Sequence, residues 1–329
     1  MRKCALKLSR LLFIVLILNP IELSLAGTLN IVATIKPIHS IISNLTVGIT
    51  EPNLLLPDGA SPHTYQIKPS HRKTLQDADL IFWIGESYET HMTKVMQQFP
   101  TQAIRLIETP KLNLLHNRSV REFALANTSA NTHHKSHEEH HAQHHHHHHT
   151  HALDENDPHI WLSVDNAIHL THYISEKLIL ANPEHKDLYL KNTNQYIQRL
   201  EQLKVKLNNL FESQKPSPYL VFHDAYQYFE TEYGLNSMGT ILLNPHVPLS
   251  PKALREVQIL LDKHNIQCIY YEPEFNQQPL KPLLLKSGVN ILELDPLGAR
   301  QAKGAACYEQ TMQQLANQLL SCHKTEEAS

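Results

Sequence analysis

Histidine is the residue type most able to do chemistry here, with 25 in a 329-residue chain. Twelve fall within nineteen residues, at His133, His134, His137, His140, His141, His144, His145, His146, His147, His148, His149 and His151, flanked by Glu138, Glu139, Asp154, Glu155 and Asp157. Such a tract builds no core, but its imidazoles can collect divalent transition metals. Its position inside the chain argues against a purification tag, and an idle polar loop is the plain alternative. Among the thirteen histidines outside the tract, three sit where α/β folds place ligand sites, at or just after a predicted strand. They are His63 in Gly59-Ala60-Ser61-Pro62-His63, His159 in Asp157-Pro158-His159-Ile160-Trp161, and His223 in Phe222-His223-Asp224-Ala225-Tyr226. Proline restrains the backbone leading into His63 and His159, which lowers the ordering cost of aiming their rings. Asp295, in Leu294-Asp295-Pro296-Leu297-Gly298, follows an apolar run and can either ligate a metal or cap the following turn. Three neutral imidazoles and one carboxylate suit tetrahedral Zn²⁺, whereas manganese would recruit more carboxylate oxygen. Because imidazoles must be neutral to bind, affinity is expected to fall steeply below about pH 6.

Two other chemistries use the same residues. A three-histidine zinc with an open fourth position could activate water for hydrolysis. The sequence has neither a His-Glu-x-x-His helix motif nor a Gly-x-Ser-x-Gly nucleophile elbow, and no obvious general base beside the proposed site. Alternatively the tract does the binding, as a simple zinc buffer, and the remainder is scaffold.

The elements that must hold these residues alternate. Apolar runs at Leu29 to Ile35, Asn53 to Leu56, Leu80 to Ile84 and Ala103 to Ile107 predict strands, with helices starting at Pro37, Pro69 and Ser87. A second set follows at Tyr219 to Phe222, Ser237 to Leu242, Cys268 to Tyr271 and Asn290 to Leu294, with helices near Ala225, Pro251, Pro279 and Tyr308. This rhythm predicts an α/β fold of two lobes with parallel sheets flanked by helices. Between them, Asn182-Pro183-Glu184 is a helix start, and Leu188, Tyr196, Leu200, Leu203, Leu207 and Leu210 mark a buried face running to about Phe211. A helix of roughly 30 residues, about 45 Å long, could join the lobes rigidly; the plainer reading is a long surface helix. The expected organisation is a signal peptide over 1–26, an N-terminal lobe over 27–181, a linking helix over 182–214 and a C-terminal lobe over 215–329.

The signal peptide is read from Arg2, Lys3, Lys7 and Arg10, an apolar run from Leu11 to Leu18, and small residues at Ser24 and Ala26, so cleavage is expected after Ala26. Removing those four basic residues and Glu22 takes the formal charge from −3 to −6, which argues against nucleic acid or an anionic membrane as partner. Export to the periplasm permits disulfides. For Cys268, Cys307 and Cys322 the simplest count is one bridge and one free thiol, with three unpaired buried thiols as the alternative.

These motifs, in this order, resemble the metal-binding components of bacterial ABC importers, within the cluster of zinc and manganese solute-binding proteins, and among them the zinc-specific ZnuA type. Glu272-Pro273-Glu274-Phe275 extends the likeness, which covers nearly all of the chain after residue 26. The resemblance implies two α/β lobes joined by a long helix, Zn²⁺ in the cleft between them, ligands at His63, His159 and His223, and Asp295 at or near the metal. It also implies that Cys268 and Cys322 pair, and that the partner is an inner-membrane ABC permease with its cytoplasmic ATPase, served by a monomer. One departure matters: some zinc members carry a glutamate just before the first histidine, where this chain has Pro62. Asp295 or a water must then complete the coordination. Cys307 has no clear counterpart in the family and is expected to be an unpaired buried thiol. The His-rich tract ends eight residues before His159. At that reach its effective concentration beside the site is on the order of millimolar, so it could collect zinc and pass it inward.

Overall fold

A computed structural model describes residues 28–118, 156–242, 250–276, 278–281 and 288–322. The signal peptide and the His133–His151 tract therefore lie outside the described residues. The first sheet contains β1 (Ile31–Ala33), β2 (Asn53–Leu54), β3 (Leu80–Trp83) and β4 (Ala103–Arg105), in the order β2-β1-β3-β4. The second contains β5 (Tyr219–His223), β6 (Thr240–Leu242), β7 (Cys268–Tyr271) and β8 (Asn290–Glu293), in the order β6-β5-β7-β8. All pairings are parallel, with registers such as Val32 on Ile81 and Leu220 on Ile269. Strands β1, β3 and β5 are buried throughout. Both faces of a parallel sheet are covered by helices, which is why these strands read as continuous apolar runs rather than alternating ones.

The two sheets share one topology. In each, the second strand lies on one side of the first and the third on the other. The loops leaving the first and third strands diverge and open a crevice at the carboxyl ends. The loops after β1, β2 and β3 meet those after β5, β7 and β8 there.

The described helices are α1 (Lys36–Leu45), α2 (Pro69–Gln76), α3 (Thr93–Met96), α4 (Val164–Ala181), α5 (Lys186–Ser213), α6 (Gln227–Tyr233), α7 (Pro251–His264) and α8 (Cys307–Leu320). The long helix α5 has 28 residues and follows a single 3-10 turn at Pro183–His185. Its buried seam is Tyr189, Tyr196, Leu200, Leu203, Leu207 and Phe211, with Leu188 and Leu210 to the side. Asn192 is tolerated in that seam because its Nδ2 donates to Leu45 O at 2.9 Å and Val47 O at 3.0 Å, carbonyls that the end of α1 leaves open.

Helix α4 is an element the sequence reading did not anticipate. Ser163 Oγ caps it by accepting from Asn166 N at 3.1 Å, and Asp165 supplies an acid in its first turn. A short connection folds α5 back along α4, and Thr193 Oγ1 donates to Ser175 Oγ at 2.7 Å between them. The helix expected from Ser87 instead begins as a 3-10 turn at Thr90–Met92 leading into the short α3, and at Pro279 a 3-10 turn spans Gln278–Leu280.

Cys268 at the start of β7 is bonded to Cys322 just beyond α8, with a Cα–Cα distance of 6.1 Å. Cys307 is free and buried. One apolar core runs through both lobes, and a second cluster, around Leu220, Phe222, Val257, Leu261 and Ile269, lies within the C-terminal lobe. Polar ties cross it: Trp161 Nε1 donates to Pro296 O at 2.9 Å, Tyr308 OH to Trp161 O at 2.9 Å, and Ser40 Oγ to Ala305 O at 2.9 Å.

Candidate metal centre

His63 comes from the loop after β2, His159 from the segment entering α4, and His223 is the last residue of β5. These positions are 160 residues apart at their extremes, yet one ring nitrogen from each lies within 4.8 Å of the others. The ring centroids are 5.8 Å apart for His63 and His159, 5.2 Å for His63 and His223, and 5.0 Å for His159 and His223. His159 and His223 are buried and His63 is partly exposed. A tetrahedral zinc with Zn–N near 2.0–2.1 Å needs ligand nitrogens about 3.3 Å apart, so modest ring rotations close the set. Tyr88 forms the wall, its ring 4.7 Å from His63, 5.3 Å from His159 and 5.0 Å from Trp161. The Phe275 ring stands 5.8 Å from that of His223.

Each buried imidazole has a carboxylate behind it. Asp157 Oδ1 accepts from His159 N at 3.0 Å and sits 2.7 Å from His159 Nδ1. That contact assigns the proton to Nδ1 and leaves Nε2, buried and without a hydrogen-bond partner among the described residues, as a free lone pair. Burial, with the neighbouring His223, holds the His159 pKa well below its ordinary value, so the ring is in its ligating neutral form. Glu272 is fully buried and its Oε1 lies 3.6 Å from His223 Nδ1, an ion-pair distance rather than a hydrogen bond. Burial alone would lower the His223 pKa, but Glu272, then Asp224 and Glu274, outweigh it and leave it raised. Burial also pushes Asp157 up to about 7, against the hydrogen bond from His159. Glu274 is pushed to about 8 by burial and by Glu272 beside it.

Asp295 is buried two residues beyond β8, and its oxygens accept from Leu297 N at 3.2 Å and Arg300 N at 2.9 Å. It therefore caps the turn, one of the two roles open to it from the sequence. It is not part of the three-histidine group. Sequence reasoning did not assign a role to Asp157 or Glu272. The available signal was an acid two residues before His159, a spacing at which Asp turns back onto the local backbone.

The described residues on either side of 119–155 meet at this site. Asp157 N donates to Leu115 O at 2.7 Å, and His116 bridges Asn156. Arg118 is held by Asp224 and by Glu230, 2.7 Å away, both in the C-terminal lobe.

Two α/β lobes of one topology, with three imidazoles from both lobes converging between them, define a metal-binding protein of the two-lobed solute-binding class. The periplasmic zinc-binding protein TroA from Treponema pallidum has this fold, with a TM-score of 0.72 at 19% identity, covering 90% of this chain and 99% of that one. So does the solute-binding protein FpvC from Pseudomonas aeruginosa, solved in complex with Mn²⁺, with a TM-score of 0.70 at 20% identity over 89% of this chain and 98% of that one. Within the class the chain belongs to the family described as ZnuA, zinc-uptake complex component A, periplasmic, whose model matches residues 31–322. It is 33% identical over 309 residues to the high-affinity zinc uptake system protein ZnuA of Haemophilus ducreyi, covering 94% of this chain and 97% of that protein.

Proposed function

We propose that this protein binds Zn²⁺ in the cleft through His63, His159 and His223 and delivers it, in the periplasm, to an inner-membrane ABC permease with its cytoplasmic ATPase. The observation that carries the reading is the convergence of three ring nitrogens within 4.8 Å, drawn from both lobes. Family membership and a close ZnuA relative support the transport role. Because a similar fold carries Mn²⁺ in FpvC, the fold does not choose the metal; the donors do. Three neutral nitrogens favour zinc over manganese, which prefers oxygen. The fourth position falls to Asp295, whose oxygens keep lone pairs beyond the two amide bonds, or to a water.

The acids here orient rings or a turn, as Asp157 does for His159 and Asp295 for Leu297 and Arg300, which supports capture rather than hydrolysis. On this reading 27–181 and 215–329 are the lobes, 182–214 links them, and the His133–His151 tract is an accessory collector. The test is zinc titration against a competing chelator for wild type, the His63→Ala/His159→Ala/His223→Ala variant and a chain lacking 133–151. The triple variant should lose the tightest site and fail to support growth under zinc starvation, while the deletion keeps that site. A triple variant that retains wild-type affinity would transfer the function to the tract and make the protein a buffer.

A further inference from the structure

An ammonium out of water is costly unless its donors are satisfied. Lys36, 6% exposed, opens α1 directly after β1. Its Nζ lies 3.1 Å from Gly298 O, 3.2 Å from Ala299 O, 2.7 Å from Gln301 O and 2.8 Å from Asp58 Oδ1. The three carbonyls belong to the C-terminal lobe, in the turn that Asp295 caps. Asp58 belongs to the loop that carries His63. One ammonium thus joins the floor of the N-terminal lobe, the His63 loop and the opposing lobe.

Both ends of this tie are placed differently. The carbonyl end is rigid: Gly298 has φ +68°, and a Cβ there would fall 2.3 Å from Thr311 Oγ1 and 3.0 Å from Cys307 Sγ, so the turn is seated on α8. The Asp58 end is soft. Between 57 and 65 the described backbone hydrogen bonds run within the loop itself, from Ala60 N to Pro57 O and from Thr64 N and Tyr65 N to Ser61 O. Gly59, at φ +73°, has no atom within 4 Å of where its Cβ would be. A small cavity of about 20 Å³, lined by Lys36, Pro57, Asp58, Gly59, Glu274 and Leu297, lies between this loop and the opposing lobe.

We propose that Lys36 is a positioning residue for metal capture, gripping the C-terminal turn with its carbonyl contacts and the His63 loop through Asp58, so that His63 is held where His159 and His223 converge. The inference rests on the metal-binding reading above. A purely structural lysine would stabilise the fold and leave metal kinetics alone, and Asp58 separates the two roles. Its side chain is 67% exposed, so Asp58→Asn removes the charge from the loop's tether without opening the core.

The experiment measures release of Zn²⁺ alone from the full chain into excess chelator by stopped flow, beside thermal melts of the metal-free protein. Asp58→Asn should release zinc about two- to fivefold faster, the span of a partly exposed ion pair, with an unchanged melt. Lys36→Met should release at least tenfold faster, and adding Asp58→Asn to it should change little more, because both act on one connection. Wild-type release from Asp58→Asn, or additive effects in the double variant, would overturn the proposal. If Lys36→Met does not fold, Asp58→Asn alone decides. A wild-type protein that binds no zinc would defeat the metal reading and this inference together; zinc bound by wild type and released alike by the variants defeats this inference only.

Discussion

Asp157 accepts from His159 twice, at its backbone N and its ring Nδ1, and both residues are buried. Asp157→Ala would remove the acceptor that fixes the His159 tautomer and leave a buried Nδ1–H unpaired. Two routes to the magnitude agree. Losing a hydrogen bond to a charged group costs about 1.5–3 kcal/mol, and substitutions behind a metal-bound histidine cost about 10- to 100-fold in affinity, or about 1.4–2.8 kcal/mol. Asp157→Asn keeps an oxygen for both donors and loses only charge, so it should cost less than tenfold. Zinc affinity would be measured by chelator competition at pH 7.5, in a chain lacking 133–151 so that the cleft alone reports. The metal-free melting curve controls for folding. An Asp157→Ala protein that melts like wild type and binds zinc within threefold of it would refute the claim that Asp157 prepares His159 Nε2.

The disulfide spans 54 residues of sequence, so the chain-entropy model gives it about 4 kcal/mol. Denaturant unfolding with and without reductant should show a loss approaching that figure, and a loss under about 1 kcal/mol would mean the unfolded chain is already restrained. Burial pushes Glu89 up to about 7 from 4.5, although Ile84 N and Gly85 N donate to it. Its folded pKa is the higher one, so its contribution is fully present below about 4.5 and is lost as pH rises to about 7. Glu89→Gln should therefore gain about 3 kcal/mol relative to wild type between pH 4.5 and pH 8. Parallel stability–pH curves for the two proteins would refute this.

What could be read in advance was whatever is encoded locally. Leu80–Trp83 and Tyr219–His223 announced themselves because a strand buried on both faces is an unbroken apolar run. His63, His159 and His223 could be chosen from thirteen because each adjoined such a run or a proline. Helix α4 was equally local, with a Ser163 cap and Val164, Ala167, Leu170, Ile174 and Leu178 at helical spacing; it was missed although its signals were present. In the seam of α5, Tyr196, Leu200, Leu203 and Leu207 are buried as expected, but at its two ends the core takes the larger rings of Tyr189 and Phe211 in place of Leu188 and Leu210. Lys36 was not legible at all. Its partners Gly298 and Gln301 are 262 and 265 residues away, and nothing about a lysine before a proline says that it will be buried.

On the proposed reading, the long-range residues would also supply part of the centre's affinity for a divalent cation. Asp157, Glu272, Glu274 and Asp295 surround the three imidazoles, and burial raises the pKa of Asp157 and Glu274 toward neutrality. Ionised carboxylates held out of water are an unfavourable state that a dication relieves, so part of the affinity comes from the acids behind the rings rather than from the rings alone. The converse governs release. On that reading, any motion that separates the lobes would readmit water to those carboxylates, restore their solvation, and remove His223 from His63 and His159 in the same step. On the proposed reading, a site divided between two lobes would hold zinc only while His223 stays with His63 and His159, so a partner that shifts one lobe against the other would favour release.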